Sequence, residues 1–202
     1  MIEVVAFVGV IGSGKDYQAN LLVDKGFVRI DFKDELLDMV SDLVGYNVRD
    51  DYDWFKEHVV GIRRPENRLL EYHAHNDSEL ARVRGAMTGR QMLQRFGTEV
   101  MRKRDPDYWA KAWHRRAMVA IHQGKSVTCA DCRFMNEVGH VNKTRVPAKF
   151  IFCDYHSSRY DAKSKHVSER MAQDLLFGGL KDMEEITIYQ FLEIPRRLMG
   201  VS

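Results

Sequence analysis

Cysteine is scarce in this sequence, and so is any surplus of charge. The three cysteines, Cys129, Cys132 and Cys153, are odd in number and sit in apolar runs, so a disulfide framework is not expected. The 31 basic and 29 acidic residues nearly cancel, at a formal net charge of +2, which gives no general pull toward nucleic acid or membranes. No apolar run approaches the roughly eighteen residues needed to cross a bilayer. The opening "MIEVVAFVGV" carries Glu3 and has neither a basic region nor a small-residue cleavage site, so a cytoplasmic location is expected. Internal repeats and low-complexity tracts are missing too. What is present is a chain of 202 residues, 45% hydrophobic and 30% charged, long enough for one domain with a sizeable core.

Short β-branched runs alternate with helical spacings. "EVVAFVG" (3–9) predicts a strand buried on both faces, and a helix is expected from Lys15 to about Lys25, stopped by Gly26. "FVRI" (27–30) predicts a second strand. Residues 33–45 place apolar side chains at 36, 37, 40, 43 and 44, a helical period that ends at Gly45. Residues 46–88 are polar and show no clean period. Helical character returns from Thr88 to about Gly124, with a break near "RDPDY" (104–108). "SVTCAD" (126–131), "AKFIFCD" (148–154) and "EITIYQF" (185–191) predict three further strands. This alternation implies an α/β fold with a parallel sheet and helices on both faces. The stretch between the second and third strands is far longer than one crossover needs, so an inserted helical subregion is expected there.

The strongest local signal is the loop Gly9-Val-Ile-Gly12-Ser13-Gly14-Lys15, set between a strand and a helix. Its glycines let backbone N–H groups converge on phosphate oxygens, the helix N-terminus adds its partial positive charge, and Lys15 supplies a point charge. Asp16 follows, where a hydroxyl residue is the usual occupant. A carboxylate there suits Mg²⁺ but repels a metal-free triphosphate; alternatively it complements the helix dipole.

"CADCRFMNE" (129–137) sets Asp131 at the C-terminal end of a predicted strand, where ligands of open α/β sheets gather. Arg133 has the fork to hold a phosphate, and Glu137, a turn further on, to brace it or to meet a substrate donor. A strand-end cap and a surface Arg–Glu pair are the plainer alternative. Cys129 and Cys132 point to opposite faces of a strand, so no metal is expected there, nor at "HAH" (73–75). In the basic run 88–116, Arg90, Gln94 and Arg95 lie on adjacent turns of one predicted helix and Trp109 offers a stacking plane; a solvated face is the alternative for its remaining charges. "YHSSRYDAKSKHVSE" (155–169) reads as a cationic lid, with Arg159, Lys163 and Lys165, or as an ordinary exposed loop.

Together these stretches resemble the phage-type deoxynucleoside monophosphate kinases of the P-loop nucleotide kinase superfamily. The matching residues are "SGKD" (13–16), "KDELLDM" from Lys33, "RQMLQRFGT" (90–98) followed by "DYW" (107–109), "DCRFMNE" (131–137) and "HVSE" (166–169). Tyr17 departs from the small hydroxyl residue common after the aspartate, and the segment from Ile30 to Lys33 is short. The resemblance implies a single P-loop kinase domain over 1–202. Its five-stranded parallel sheet would have helices on both faces, an acceptor-binding region inserted over 33–125 and a lid over 155–168. It implies transfer of the γ-phosphoryl of ATP to a deoxynucleoside monophosphate, with Mg²⁺. Gly9, Gly12, Ser13, Gly14, Lys15 and Asp16 would hold ATP, with Asp16 on the metal. Lys33, Arg90, Gln94, Gly97, Thr98, Trp109, Asp131, Arg133 and Glu137 would face the acceptor. Lys15, Asp16, Asp131, Arg133 and Arg159 would serve the transfer step itself. No nucleic-acid or membrane partner is implied, and a homodimer is left open. The opening of the chain also resembles dephospho-CoA kinases, and a nucleotide-binding regulatory module without transfer activity is the alternative of another class.

Overall fold

The architecture is α/β, a parallel sheet of four strands flanked by helices, seen in a computed structural model that describes residues 1–9, 12–60, 87–153 and 188–190. Val4–Val8 forms β1, a five-residue strand whose every side chain is buried. It lies between β5 (Val127–Cys129) and β6 (Ala148–Phe152), and β5 in turn pairs with the short β2 (Val28–Arg29). All these pairings are parallel, with Val4 opposite both Val127 and Ala148. The backbone of Ile188–Gln190 runs parallel to the outer side of β6. Continuous apolar runs suit these strands because helices cover both faces of a parallel sheet.

The chain divides into two compact units, one of Met1–Phe32 with Trp113–Ser202 and the other of Lys33–Ala112. The second unit starts at Lys33, as does the region expected to be inserted, but ends at Ala112, within a helix, and not at 125. In the first unit, α1 (Lys15–Val23) follows β1, and Val5, Phe7, Ala19, Ala130 and Ile151 form an apolar cluster. Trp113 is almost fully buried, stacks on Phe32 at 4.8 Å and donates its indole N–H to the Ile30 carbonyl at 2.8 Å.

The second unit is built around α2 (Asp34–Val44), whose buried Leu37, Val40, Leu43 and Val44 follow the helical period. Gly45 ends it with a positive φ of 81°, as its place after the last apolar turn predicted. The featureless stretch that follows contains a six-residue helix, α3 (Tyr52–Glu57), capped by Asp51, whose side chain accepts from Trp54 N–H at 3.2 Å. It also contains β3 (Val59–Val60), paired antiparallel with β4 (Met87–Thr88). Neither was expected, because six residues are too few for a helical period and two too few for an alternation. The helix α4 (Gly89–Gln94) starts from a capping box between Thr88 and Gln91 and continues as a π-helical stretch over Arg95–Arg102. The anticipated break follows, and α5 (Tyr108–His122) supplies residues to both units.

Candidate functional site

The candidate site lies in the first unit, at the carboxyl end of β1. Gly9 leaves the strand with φ 151°, and a Cβ added there would stand 2.5 Å from the Cys153 carbonyl oxygen and 2.7 Å from Ser13 Oγ. The loop therefore turns so tightly against the end of β6 that only glycine fits. Gly14, at the N-cap of α1, is left-handed with φ 83°. Ser13 and Lys15 are buried, at 3% and 5% exposure, and Lys15 Nζ donates to Ser13 Oγ at 3.2 Å. The ammonium is thus buried against the loop's own hydroxyl, at the first residue of α1. Cys153 borders this loop; burial pushes its thiol up to about 11, partly opposed by the charge of Lys15.

Asp16 is not left to face the loop alone. Its carboxylate pairs with the guanidinium of Arg29 on β2, where Arg29 Nη2 donates to Asp16 Oδ1. The same guanidinium donates to Asp31 Oδ2 through Nη2 at 2.7 Å and Nε at 3.1 Å, and to Asn20 Oδ1 through Nη1 at 2.8 Å. One side chain thus ties the first two turns of α1 to the end of β2. Burial alone would lower the pKa of Arg29, but the hydrogen bonds and charges of Asp31 and then Asp16 outweigh it and raise the value, so Arg29 stays charged. Sequence reading missed Arg29, because it stood inside a run read only as a strand.

Asp31 and Asp131 form a reciprocal clasp at the ends of β2 and β5. Asp31 Oδ1 accepts from Ala130 N–H at 2.8 Å, and Asp131 Oδ1 accepts from Phe32 N–H at 2.8 Å. Each carboxylate takes over the ladder where the parallel pair runs out, which satisfies a backbone donor that burial would otherwise strand. Both are nearly buried, at 5% and 7% exposure.

Glu137, expected to brace Arg133 or to meet a substrate donor, is 1% exposed and holds backbone donors of its own turn. Its Oε2 accepts from the N–H groups of Arg133 at 2.7 Å and Phe134 at 3.0 Å. It thereby caps α6 (Met135–Asn142) as half of a capping box, since Phe134 has no side-chain acceptor to reciprocate. That holds the Arg133 backbone firmly at the carboxyl end of the sheet, with its side chain half-buried. Cys129 and Cys132 are free, buried thiols, pushed well up by burial, and no metal-holding group of three His, Cys, Asp or Glu occurs among the described residues.

The other expected acceptor residues belong to the second unit. Lys33 precedes α2, and its carbonyl accepts from Leu37 N–H at 2.9 Å. Arg90 is exposed and pairs with Glu57 at 2.9 Å, while Gln94 and Thr98 are exposed on the same helical run. Gly97 is buried; a Cβ there would stand 2.9 Å from Leu36 Cδ2. Trp109 is the correction. Expected as a plane for a base, it is 3% exposed within the unit's apolar core, and its indole N–H donates to the Gly97 carbonyl at 2.8 Å. The large ring is used for packing, with Tyr108 edge-on at 4.8 Å. Arg159 and the lid segment 155–168 lie outside the described residues, as does "HAH".

Among the described residues, no helix is long and apolar enough to cross a membrane. No protein-family model matches the chain, and a search of curated proteins finds no significant match.

Proposed function

We propose that this chain is an ATP-dependent deoxynucleoside monophosphate kinase, working in the cytoplasm on a P-loop kinase fold with Ile188–Gln190 as the fifth strand of its sheet. The observation that carries the reading is the buried Lys15 ammonium, held on Ser13 Oγ in a positive-φ glycine loop that opens a helix at the carboxyl end of β1. A phosphate chain is the anion such a loop and helix end suit. In this reading Gly9, Gly12, Ser13, Gly14 and Lys15 grip the β- and γ-phosphates of ATP. Arg133, with Asp131 beside it, serves the acceptor phosphate in the first unit. Lys33, Arg90, Gln94 and Thr98 are assigned to the acceptor by the resemblance alone, and Arg159 to the lid.

In the transfer, an oxygen of the acceptor phosphate forms a bond to Pγ while the bond from Pγ to the β-bridging oxygen breaks, and ADP leaves. The attacking oxygen is already anionic, so no strong base is needed; Lys15 and the arginines offset charge and align the groups. Asp16 fits the metal expected here. Its side chain is 69% exposed and its ion pair with Arg29 uses Oδ1, so its carboxylate would be open to hold Mg²⁺, an ion usually bound by one or two carboxylates. When bound, Mg²⁺ would offset the charge of the β- and γ-phosphates.

A coupled assay with Mg-ATP and dGMP, dTMP, dCMP or dephospho-CoA as acceptor tests the proposal. Turnover of at least one deoxynucleotide is expected. Turnover of dephospho-CoA alone would select the rival kinase, and ATP binding without any transfer would mark a regulatory module.

A further inference from the structure

We infer that Arg29 is the positioning residue that makes a carboxylate tolerable beside bound phosphates. The inference deepens the reading of the glycine loop as a phosphate site and rests on it. Asp16 directly follows the loop lysine, where an uncompensated negative charge opposes a triphosphate by Coulomb repulsion. The structure supplies a compensating charge from outside the loop: Arg29 reaches from β2 to Asp16 Oδ1. Arg29 is itself fixed, because three of its other donors are held by the buried Asp31 and by Asn20. Asp31 cannot swing away, since its Oδ1 is held by Ala130 N–H. The chain of contacts from β5 through Asp31 and Arg29 to Asp16 sets the direction of the Asp16 carboxylate and cancels part of its charge before any metal arrives. Arg29 touches no phosphate in this account. It acts through Asp16.

That dependence is testable as a rescue. ATP affinity is measured by calorimetry in EDTA for the wild type, Arg29→Met, Asp16→Asn and the double variant, with circular dichroism as a check of folding. Arg29→Met should weaken metal-free ATP binding about fivefold, the effect of one exposed charge a few ångströms away. The double variant should return to within about twofold of the wild type, because no carboxylate is left to offset. Asp16→Asn alone should shift metal-free affinity by less than about twofold, while weakening binding in magnesium.

Should Arg29→Met fail to fold, with Asp31 left buried and unpaired, two arms remain. Arg29→Lys keeps the charge and should retain metal-free affinity, and Asp16→Asn leaves Asp31 paired. A double variant as weak as Arg29→Met would overturn the inference, and so would a tightening of about fivefold by Asp16→Asn alone. A wild type that binds no ATP would overturn the phosphate-site reading itself and the inference with it, so the two failures are told apart by the wild-type arm.

Discussion

Among the described residues, every buried polar or charged side chain lies in the first compact unit: Ser13, Lys15, Asp31, Thr128, Asp131, Glu137, His140 and Thr144. The described residues of the second unit that are buried are apolar or glycine, from Leu37 and Val40 on α2 through Phe55 to Phe96 and Trp109. Burying a polar group is unfavourable unless a partner is supplied. In the first unit Asp31, Asp131 and Glu137 accept from backbone donors at strand and helix ends, so these three carboxylates are fixed in direction. The described charges of the second unit lie at or near its surface, in pairs such as Arg90–Glu57 and Arg49–Asp38. Rigid chemistry and adjustable surface are thus divided between the two. A unit whose described core side chains are mainly apolar can vary its outer face without disturbing that core.

The sharpest way to break this comparison is to empty the second unit's core. Trp109→Ala removes an indole that is 3% exposed and also leaves the Gly97 carbonyl without its donor. A loss of about 3–5 kcal/mol in stability is expected. Folded protein at low temperature should still bind ATP within about twofold of the wild type, because the loop and its supports lie in the other unit. Urea unfolding and calorimetry on the same samples check both halves. Loss of ATP binding in folded protein would mean that the division is not functional.

The next effect depends on pH and belongs to the first unit. Cys153 has its thiol pushed from 9.0 to about 11, by burial and against the opposing charge of Lys15. The folded state therefore holds this proton more tightly than the unfolded chain does. Its contribution is full below pH 9 and is lost as pH rises to about 11, a fall of about 2–3 kcal/mol. Cys129 and Cys132, raised by burial as well, act in the same direction. Stability curves at pH 8 and pH 11 should converge for Cys153→Ala relative to the wild type. Lys15→Met should raise the thiol further and slow its alkylation at pH 9, while weakening ATP binding by about 1.5–3 kcal/mol. The second unit has no buried thiol and should be indifferent to this change.

How much of each unit could be read in advance follows from the same contrast. β1, β5 and β6 were legible because strands buried on both faces are plain apolar runs. The loop was legible because its glycines, Ser13 and Lys15 are adjacent in sequence. Arg29 was not, since its meaning lies in Asp16, thirteen residues away, across a helix turn and a strand register that no local period encodes. Asp31 was unread for the same reason: its partner Ala130 is brought near only by the parallel pairing of β2 with β5. Trp109 was misjudged in the opposite sense. An aromatic residue in a basic stretch looks like a platform, and only the packing shows that Trp109 and Met101 point inward while Arg90 and Thr98 point outward.

The smallest expected stability effect is the one that sharpens the comparison furthest. Arg90 is 48% exposed and pairs with a Glu57 that is 65% exposed, and pairs of this kind contribute about 0–1 kcal/mol. Arg90→Ala should therefore shift the unfolding midpoint very little. If the outer face of the second unit serves the acceptor, as proposed, the same substitution removes a charge-assisted contact to an anion. KM for the deoxynucleoside monophosphate should then rise about ten- to a hundredfold, with Mg-ATP affinity unchanged. Arg90→Lys would keep a charge near Glu57 but lose the planar fork, so most of the KM defect should persist. Glu57→Gln is the control. It breaks the ion pair while leaving the guanidinium in place, and KM should stay within about twofold of the wild type. A normal KM in Arg90→Ala would make Arg90 a surface partner of Glu57 and nothing more, and would move the acceptor contacts to the first unit, beside Arg133.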